Sequence, residues 1–119
     1  ISMVKNILFV CSANKQRSKT AEDYFSENYS NINFQSAGTN LKLCQKEGTN
    51  PLDNVMLDNA DLVFVMESKH KTDIKEMTGK QYLKKIIILN IPDVYKYYDK
   101  ELIEILSSKV GEYLEDELI

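Results

Sequence analysis

Cys11 and Arg17 are the residues whose types and spacing suggest chemistry. The thiol stands six positions before the chain's one arginine, inside the run Cys11-Ser12-Ala13-Asn14-Lys15-Gln16-Arg17-Ser18. That spacing alone is a loose pattern; its surroundings make it informative. An apolar run, Ile7-Leu8-Phe9-Val10, leads into it, and a helix-forming run from Ser18 to Tyr29 leads out. A strand, a short loop and a helix start together make an anion cradle. The first N–H groups of a helix are unpaired, and its dipole favours negative charge there. The same features favour a thiolate, the form in which cysteine is a nucleophile. They also suit a tetrahedral oxyanion, two of whose oxygens the fork of Arg17 can hold at once.

Ser12, Ala13, Asn14, Lys15, Gln16 and Ser18 are accordingly the expected substrate-binding residues around this cradle. The Ser18 hydroxyl can donate to the Cys11 thiolate and ease its departure in a second step. Asn14 tolerates the left-handed backbone that a loop curled round an anion needs. An acid must then protonate the leaving oxygen, and it must come from another segment. Asp93 and Asp99 both follow the last strand-like run. Asp99 has an alternative role as a helix cap. Asp93 has none and lies between apolar Pro92 and Val94, so it is the stronger candidate, with the choice between the two left open. Tyr95 is the candidate for a wall beside the substrate. Tyr97 and Tyr98 read as core packing or as part of that wall.

The elements that must position these groups can be read from apolar patterning. Strands are expected at Lys5–Val10, Asn31–Ala37, Asp61–Met66 and Ile86–Leu89. The first and third are continuous apolar runs, as in a parallel sheet buried on both faces. Helices are expected from Ser18 to Tyr29 with Ser18 as N-cap, and from Asn50-Pro51 with Asn50 as cap and Leu52, Val55 and Met56 inward. Two more are expected from Ser68 to Met77, capped by Ser68, and after Asp99, with a stripe including Leu102, Leu106, Val110 and Leu114. Thr39 to Thr49 reads as a polar connection, and His70 as a residue on a solvated helix face. The alternation implies an α/β fold: three layers, with a four-stranded parallel sheet and helices on both faces. Ligands of such sheets bind beyond the carboxyl ends of the strands, where strand order reverses. The loops carrying Cys11 and Asp93 both lie at that edge.

With 119 residues, 43% hydrophobic and 28% charged, the chain has the composition of one ordinary globular domain. A net charge of -3 argues against a nucleic-acid partner, which needs a basic face. No stretch approaches the roughly 18 apolar residues of a membrane span, and the start lacks a secretory pattern, so a cytoplasmic protein without a membrane partner is expected. Ile1 and Ser2 precede Met3 and read as an expression remnant, with the domain running over 3–119. Cys11 and Cys44 do not form a disulfide framework and read as free thiols, Cys44 having no assigned role. No metal-ligand constellation is present.

These residues carry a family resemblance. Val10 to Ser18, followed by Ala21-Glu22, resembles the active-site loop of the low-molecular-weight protein tyrosine phosphatases. Ser36-Ala37-Gly38-Thr39 resembles that family's second-strand ending, and Asp61 to Met66 its third strand. Asp93-Val94-Tyr95 stands where the family carries an Asp-Pro-Tyr acid loop. The resemblance covers most of the chain and is narrowest to a compact bacterial branch. It implies a flavodoxin-like winding and a cysteinyl-phosphate double displacement, without metal or other cofactor. The substrate would be a phosphorylated protein or a small phosphomonoester. Ala13 replaces a usual glycine, Gln16 replaces a second cysteine that can protect the nucleophile, and Val94 replaces the acid-loop proline. Lys15 brings a charge suited to more anionic substrates. Two other readings stand beside the phosphatase. One is a non-catalytic phosphate- or phosphopeptide-binding module. The other is a thiol-linked arsenate reductase, for which Cys44 is the only further thiol.

Overall fold

The central strand β1 (Asn6–Cys11) is apolar along its length and buried from Ile7 onward. The computed structural model describes residues 4–114, and Ile1 and Ser2, read as an expression remnant, lie outside the described residues. After β1 the chain runs through α1 (Arg17–Asn28), β2 (Asn33–Gly38), α2 (Leu41–Glu47), α3 (Asn54–Asn59) and β3 (Leu62–Val65). It continues through α4 (Ser68–Thr78), a 3-10 turn at Leu83–Lys85, β4 (Ile86–Ile88) and α5 (Lys100–Leu114). The strands are all parallel, in the order β2-β1-β3-β4. Strand order therefore reverses at β1, and Cys11 is its last residue. This is the expected three-layer α/β fold.

Alternation along β1 divides the core. Ile7, Phe9 and Cys11 face one layer with Phe25 of α1 and Leu102, Leu106, Val110 and Leu114 of α5. Phe9 stacks on Phe25 at 5.6 Å, on Phe64 at 5.6 Å and on Phe34 at 6.0 Å between ring centroids. Full burial of each ring is worth roughly 1.5–3 kcal/mol relative to exposure, so this layer holds α1, and with it Arg17, against the sheet. Leu8 and Val10 face the other layer, with Leu57 of α3 and Ile74 of α4. Among the described residues no helix is long and apolar enough to cross a membrane.

Three helix boundaries differ from expectation, two of them because a polar side chain is engaged elsewhere. Ser18 does not cap α1; the cap position is Gln16, without a side-chain bond, and the Ser18 hydroxyl points at Cys11. Asn50-Pro51 does not open a helix. Pro51 bridges to Gly38, and the Asn50 amide donates to the Ser36 carbonyl at 2.8 Å. The helix starts after Asp53, whose Oδ1 accepts from the Met56 N–H at 2.9 Å. The later start turns Val55 out to 64% exposure and brings Leu57 inward. Ser68 does not cap α4 either; Glu67 does.

Thr39 to Thr49 is not a connection but holds α2. Asn40 caps it, accepting from Leu43 N–H at 3.0 Å, and Gly48 ends it at φ 71°. Asp99 does cap α5 as expected, its Oδ1 accepting from Glu101 N–H at 2.9 Å.

Candidate functional site

At the end of β1 the chain curls through Ser12 to Gln16 and enters α1. Asn14 is the left-handed residue of that curl, at φ 54°, where asparagine is better tolerated than most residues. Its amide is held at both ends. Oδ1 accepts the Asn50 N–H at 3.1 Å, so Nδ2 faces Ser18 and donates to its Oγ at 2.8 Å. The Ser18 hydroxyl proton is left free to be donated to Cys11 Sγ, 3.0 Å away, once the sulfur is a thiolate. A hydroxyl so oriented stabilises a thiolate.

The curl rests on backbone. Thr39 N–H donates to Cys11 O at 2.9 Å and Asn40 N–H to Ser12 O at 3.0 Å. Thr49 Oγ1 donates to Ala13 O at 2.5 Å. Gly38 is needed for this approach: a Cβ there would lie 2.4 Å from Ser12 O and 2.5 Å from Cys44 Sγ. Cys44 itself is buried beneath the curl, 3.6 Å from Ala13 O, and both cysteines are free thiols.

Arg17 is only 2% exposed, and it spans two strand ends. Its Nη1 donates to Glu67 Oε2 at 2.5 Å, just beyond β3, and to Ile91 O at 2.8 Å, just beyond β4. Its Nε lies 3.7 Å from Asp93 Oδ1. Burial works against the Glu67 charge. The Arg17 hydrogen bond and charge, with Lys69 nearby, outweigh burial and hold the carboxyl below its usual range.

A cleft of about 190 Å³ opens over this arrangement, lined by Cys11, Ser12, Ala13, Lys15, Gln16, Arg17, Leu43 and Asp93. It brings together most residues expected from the sequence. Asn14 and Ser18 are buried just behind it. Lys15 stands at the rim, paired with Glu47 at 2.7 Å. Asp93, with its carboxylate largely exposed, overhangs from the loop after β4. Tyr95 is not among the lining residues; it is half-buried against the core layer that holds Phe9. Asp99 stays at the start of α5.

Glu67 and His70 are site residues that the sequence reading did not find. His70, expected on a solvated face, is fully buried. Its Nδ1 accepts the Glu67 N–H at 3.0 Å, so Nε2 carries the ring proton toward Ser12 Oγ, also at 3.0 Å. Burial, with the nearby Arg17 charge second, pushes its pKa down to about 4, and the ring is neutral. The available signal was a glutamate followed by a side-chain acceptor three residues on, a capping-box spacing.

Similarity to solved structures accords with this geometry. The chain is 26% identical to a low-molecular-weight protein tyrosine phosphatase from Bacillus subtilis, with a TM-score of 0.72 over 96% of this chain and 99% of that one. It is 25% identical to a YwlE mutant from Bacillus subtilis, with a TM-score of 0.68 over 92% of this chain and 98% of that one. It is 20% identical to the tyrosine phosphatase Wzb from Escherichia coli K30 in complex with phosphate, with a TM-score of 0.77 over 96% and 99% of the two chains. No protein-family model matches the chain, and no curated protein matches it. The structural likeness bears out the family resemblance, and the family is one of cysteine-dependent enzymes.

Proposed function

We propose that this chain, whose fold is that of the low-molecular-weight protein tyrosine phosphatases, hydrolyses phosphomonoesters through a cysteinyl-phosphate intermediate. The observation that carries the reading is the 3.0 Å approach of Ser18 Oγ to Cys11 Sγ in a cleft that Arg17 and Asp93 also line. Cys11 Sγ attacks phosphorus and the bond to the leaving oxygen breaks. Asp93, as the carboxylic acid, supplies the proton that oxygen takes. Arg17 has Nη1 committed to Glu67 and Ile91, leaving Nε and Nη2 for phosphoryl oxygens. Water then attacks the phosphocysteine, Asp93 takes its proton, and the sulfur departs as a thiolate that Ser18 stabilises. The roles of Ser12, Ala13, Asn14, Lys15 and Gln16 are to line and hold the phosphate cradle.

Substrate reading follows the cleft. Leu43 offers an apolar wall to a leaving group, as an aryl phosphate needs, and Lys15 offers a cation at the rim. We place phosphotyrosine of a protein first. Phosphoarginine comes next, because the similar YwlE is described as an arginine phosphatase. We further propose a single catalytic domain over 3–119 in a reducing, cytoplasmic setting, to which two free thiols are suited.

The test is hydrolysis of p-nitrophenyl phosphate, phosphotyrosine peptide and phosphoarginine by wild type, Cys11→Ser and Asp93→Asn. Turnover that disappears in Cys11→Ser and falls in Asp93→Asn supports the reading. Phosphate binding without turnover would instead show a binding module.

A further inference from the structure

The segment from Asn90 to Asp99 carries Asp93 yet lacks the proline after it that the resembling acid loop has; Val94 stands there, 71% exposed. Something else must hold the segment in place. Its first end is pinned at Ile91, whose N–H donates to Met66 O at 2.8 Å and whose carbonyl takes Arg17 Nη1. Its second end lies on α1. Tyr98 N–H donates to Thr20 Oγ1 at 2.8 Å, and Tyr98 Oη donates to Glu27 at 3.2 Å. Tyr97 Oη donates to Asp23, which also pairs with Lys19. The two rings lie against each other, 5.5 Å between centroids.

Tyr98 has a backbone cost to bear. Its φ is 61°, the left-handed region that a non-glycine side chain enters rarely. Such a conformation costs on the order of 1–3 kcal/mol and persists only where neighbours over-determine it. Here three contacts do so: the N–H on Thr20, the hydroxyl on Glu27 and the ring on Tyr97. All the α1 partners lie on the helix that begins with Arg17. One rigid helix therefore holds both the arginine of the cradle and the far end of the acid segment.

We propose that Tyr97, Tyr98 and Thr20 are positioning residues that clamp the acid segment to α1 and set Asp93 over the thiol of Cys11. The clamp takes the place of the stiffness a proline would give. It holds over a wide pH range: the hydrogen bond to Asp23, then burial and the Asp23 charge, push the Tyr97 pKa up to about 12, so the phenol stays a donor. The catalytic part of the proposal rests on the phosphatase reading above; the clamp itself does not.

Two measurements test it on Thr20→Val, Tyr97→Phe and Tyr98→Phe. The first is amide hydrogen exchange of Tyr98 and Asp99, whose N–H groups are bonded to Thr20 Oγ1 and the Lys96 carbonyl, with α1 as internal reference. Faster exchange of the segment, with α1 unchanged, is expected. Unchanged exchange overturns the clamp, whether or not the protein is a phosphatase. The second is kcat on aryl phosphates of differing leaving-group pKa. A misplaced acid matters where the leaving oxygen is basic, so kcat should fall roughly tenfold for the poorest leaving group and little for the best, with KM unchanged. On an Asp93→Asn background the same substitutions should cost nothing further. Equal losses on all substrates, or full additivity with Asp93→Asn, overturn the assignment to Asp93. Failure of the phosphatase reading shows separately, as a wild type with no turnover, and the exchange measurement still decides the clamp.

Discussion

His70 Nε2 lies 3.0 Å from Ser12 Oγ, so a buried neutral imidazole holds the first hydroxyl of the cradle. Because Nδ1 is occupied by Glu67 N–H, the ring donates to Ser12, and the Ser12 proton is left for another acceptor. The helix that supplies His70 also begins at the carboxylate that holds Arg17. Both sides of the cradle are thus anchored at the start of α4.

This gives a pH dependence with a definite sign. The His70 pKa is lowered from 6.5 to about 4 in the folded chain, chiefly by burial and then by the Arg17 charge. Between those values the unfolded chain binds a proton that the folded chain does not. The contribution is fully present above pH 6.5 and is lost as pH falls through about 4, amounting to about 3 kcal/mol at 1.36 kcal/mol per unit. Glu67, also depressed, adds a loss in the same direction at lower pH. Urea unfolding across pH 7 to 4 should show the decline, and His70→Gln should flatten its upper part. An identical slope in the variant would remove His70 as its source.

Ser18→Ala removes the hydroxyl aimed at Cys11 Sγ. A hydrogen bond to a charged group is worth about 1.5–3 kcal/mol, or roughly ten- to a hundredfold in rate. The loss should fall on the second step, where the thiolate leaves. Stopped-flow turnover should then show a burst of leaving group followed by a slower steady state. A variant slowed equally in the burst would place the role of Ser18 in the first step instead.

Gly38→Ala should destabilise the fold by about 1–3 kcal/mol, the usual range for overpacking. Its new methyl would meet the Ser12 carbonyl at 2.4 Å, an immobile backbone atom, as well as the Cys44 sulfur. Cys44→Ala on the same background relieves only the sulfur clash, so recovery should be partial. Full recovery would show that the curl itself can shift.

The sheet was legible because β1 and β3 are continuous apolar runs, a pattern that buried parallel strands impose. Cys11, Arg17 and Asp93 were legible because Cys11 ends the apolar run of β1, Arg17 opens the helix after it, and Asp93 follows the apolar run of β4. α2 was not, since Cys44 is its one buried residue and gives no apolar stripe. The start of α3 was misplaced because Asn50 and Asp53 are both good caps, and only the tertiary demand of Ser36 and Asn14 on Asn50 decides between them. His70 was missed for a related reason. Its partner Ser12 is 58 residues away, and nothing local reports that distance closed.

The most direct test of the phosphatase account is to trap the intermediate. Wild type mixed with an aryl phosphate and quenched in acid within one turnover should carry a single phosphoryl group, mapped by peptide mass spectrometry to Cys11. Asp93→Asn should form and clear it more slowly, and Cys11→Ser should lack turnover. Steady turnover with Cys11 unmodified at every quench time, or undiminished activity in Cys11→Ser, would contradict the account.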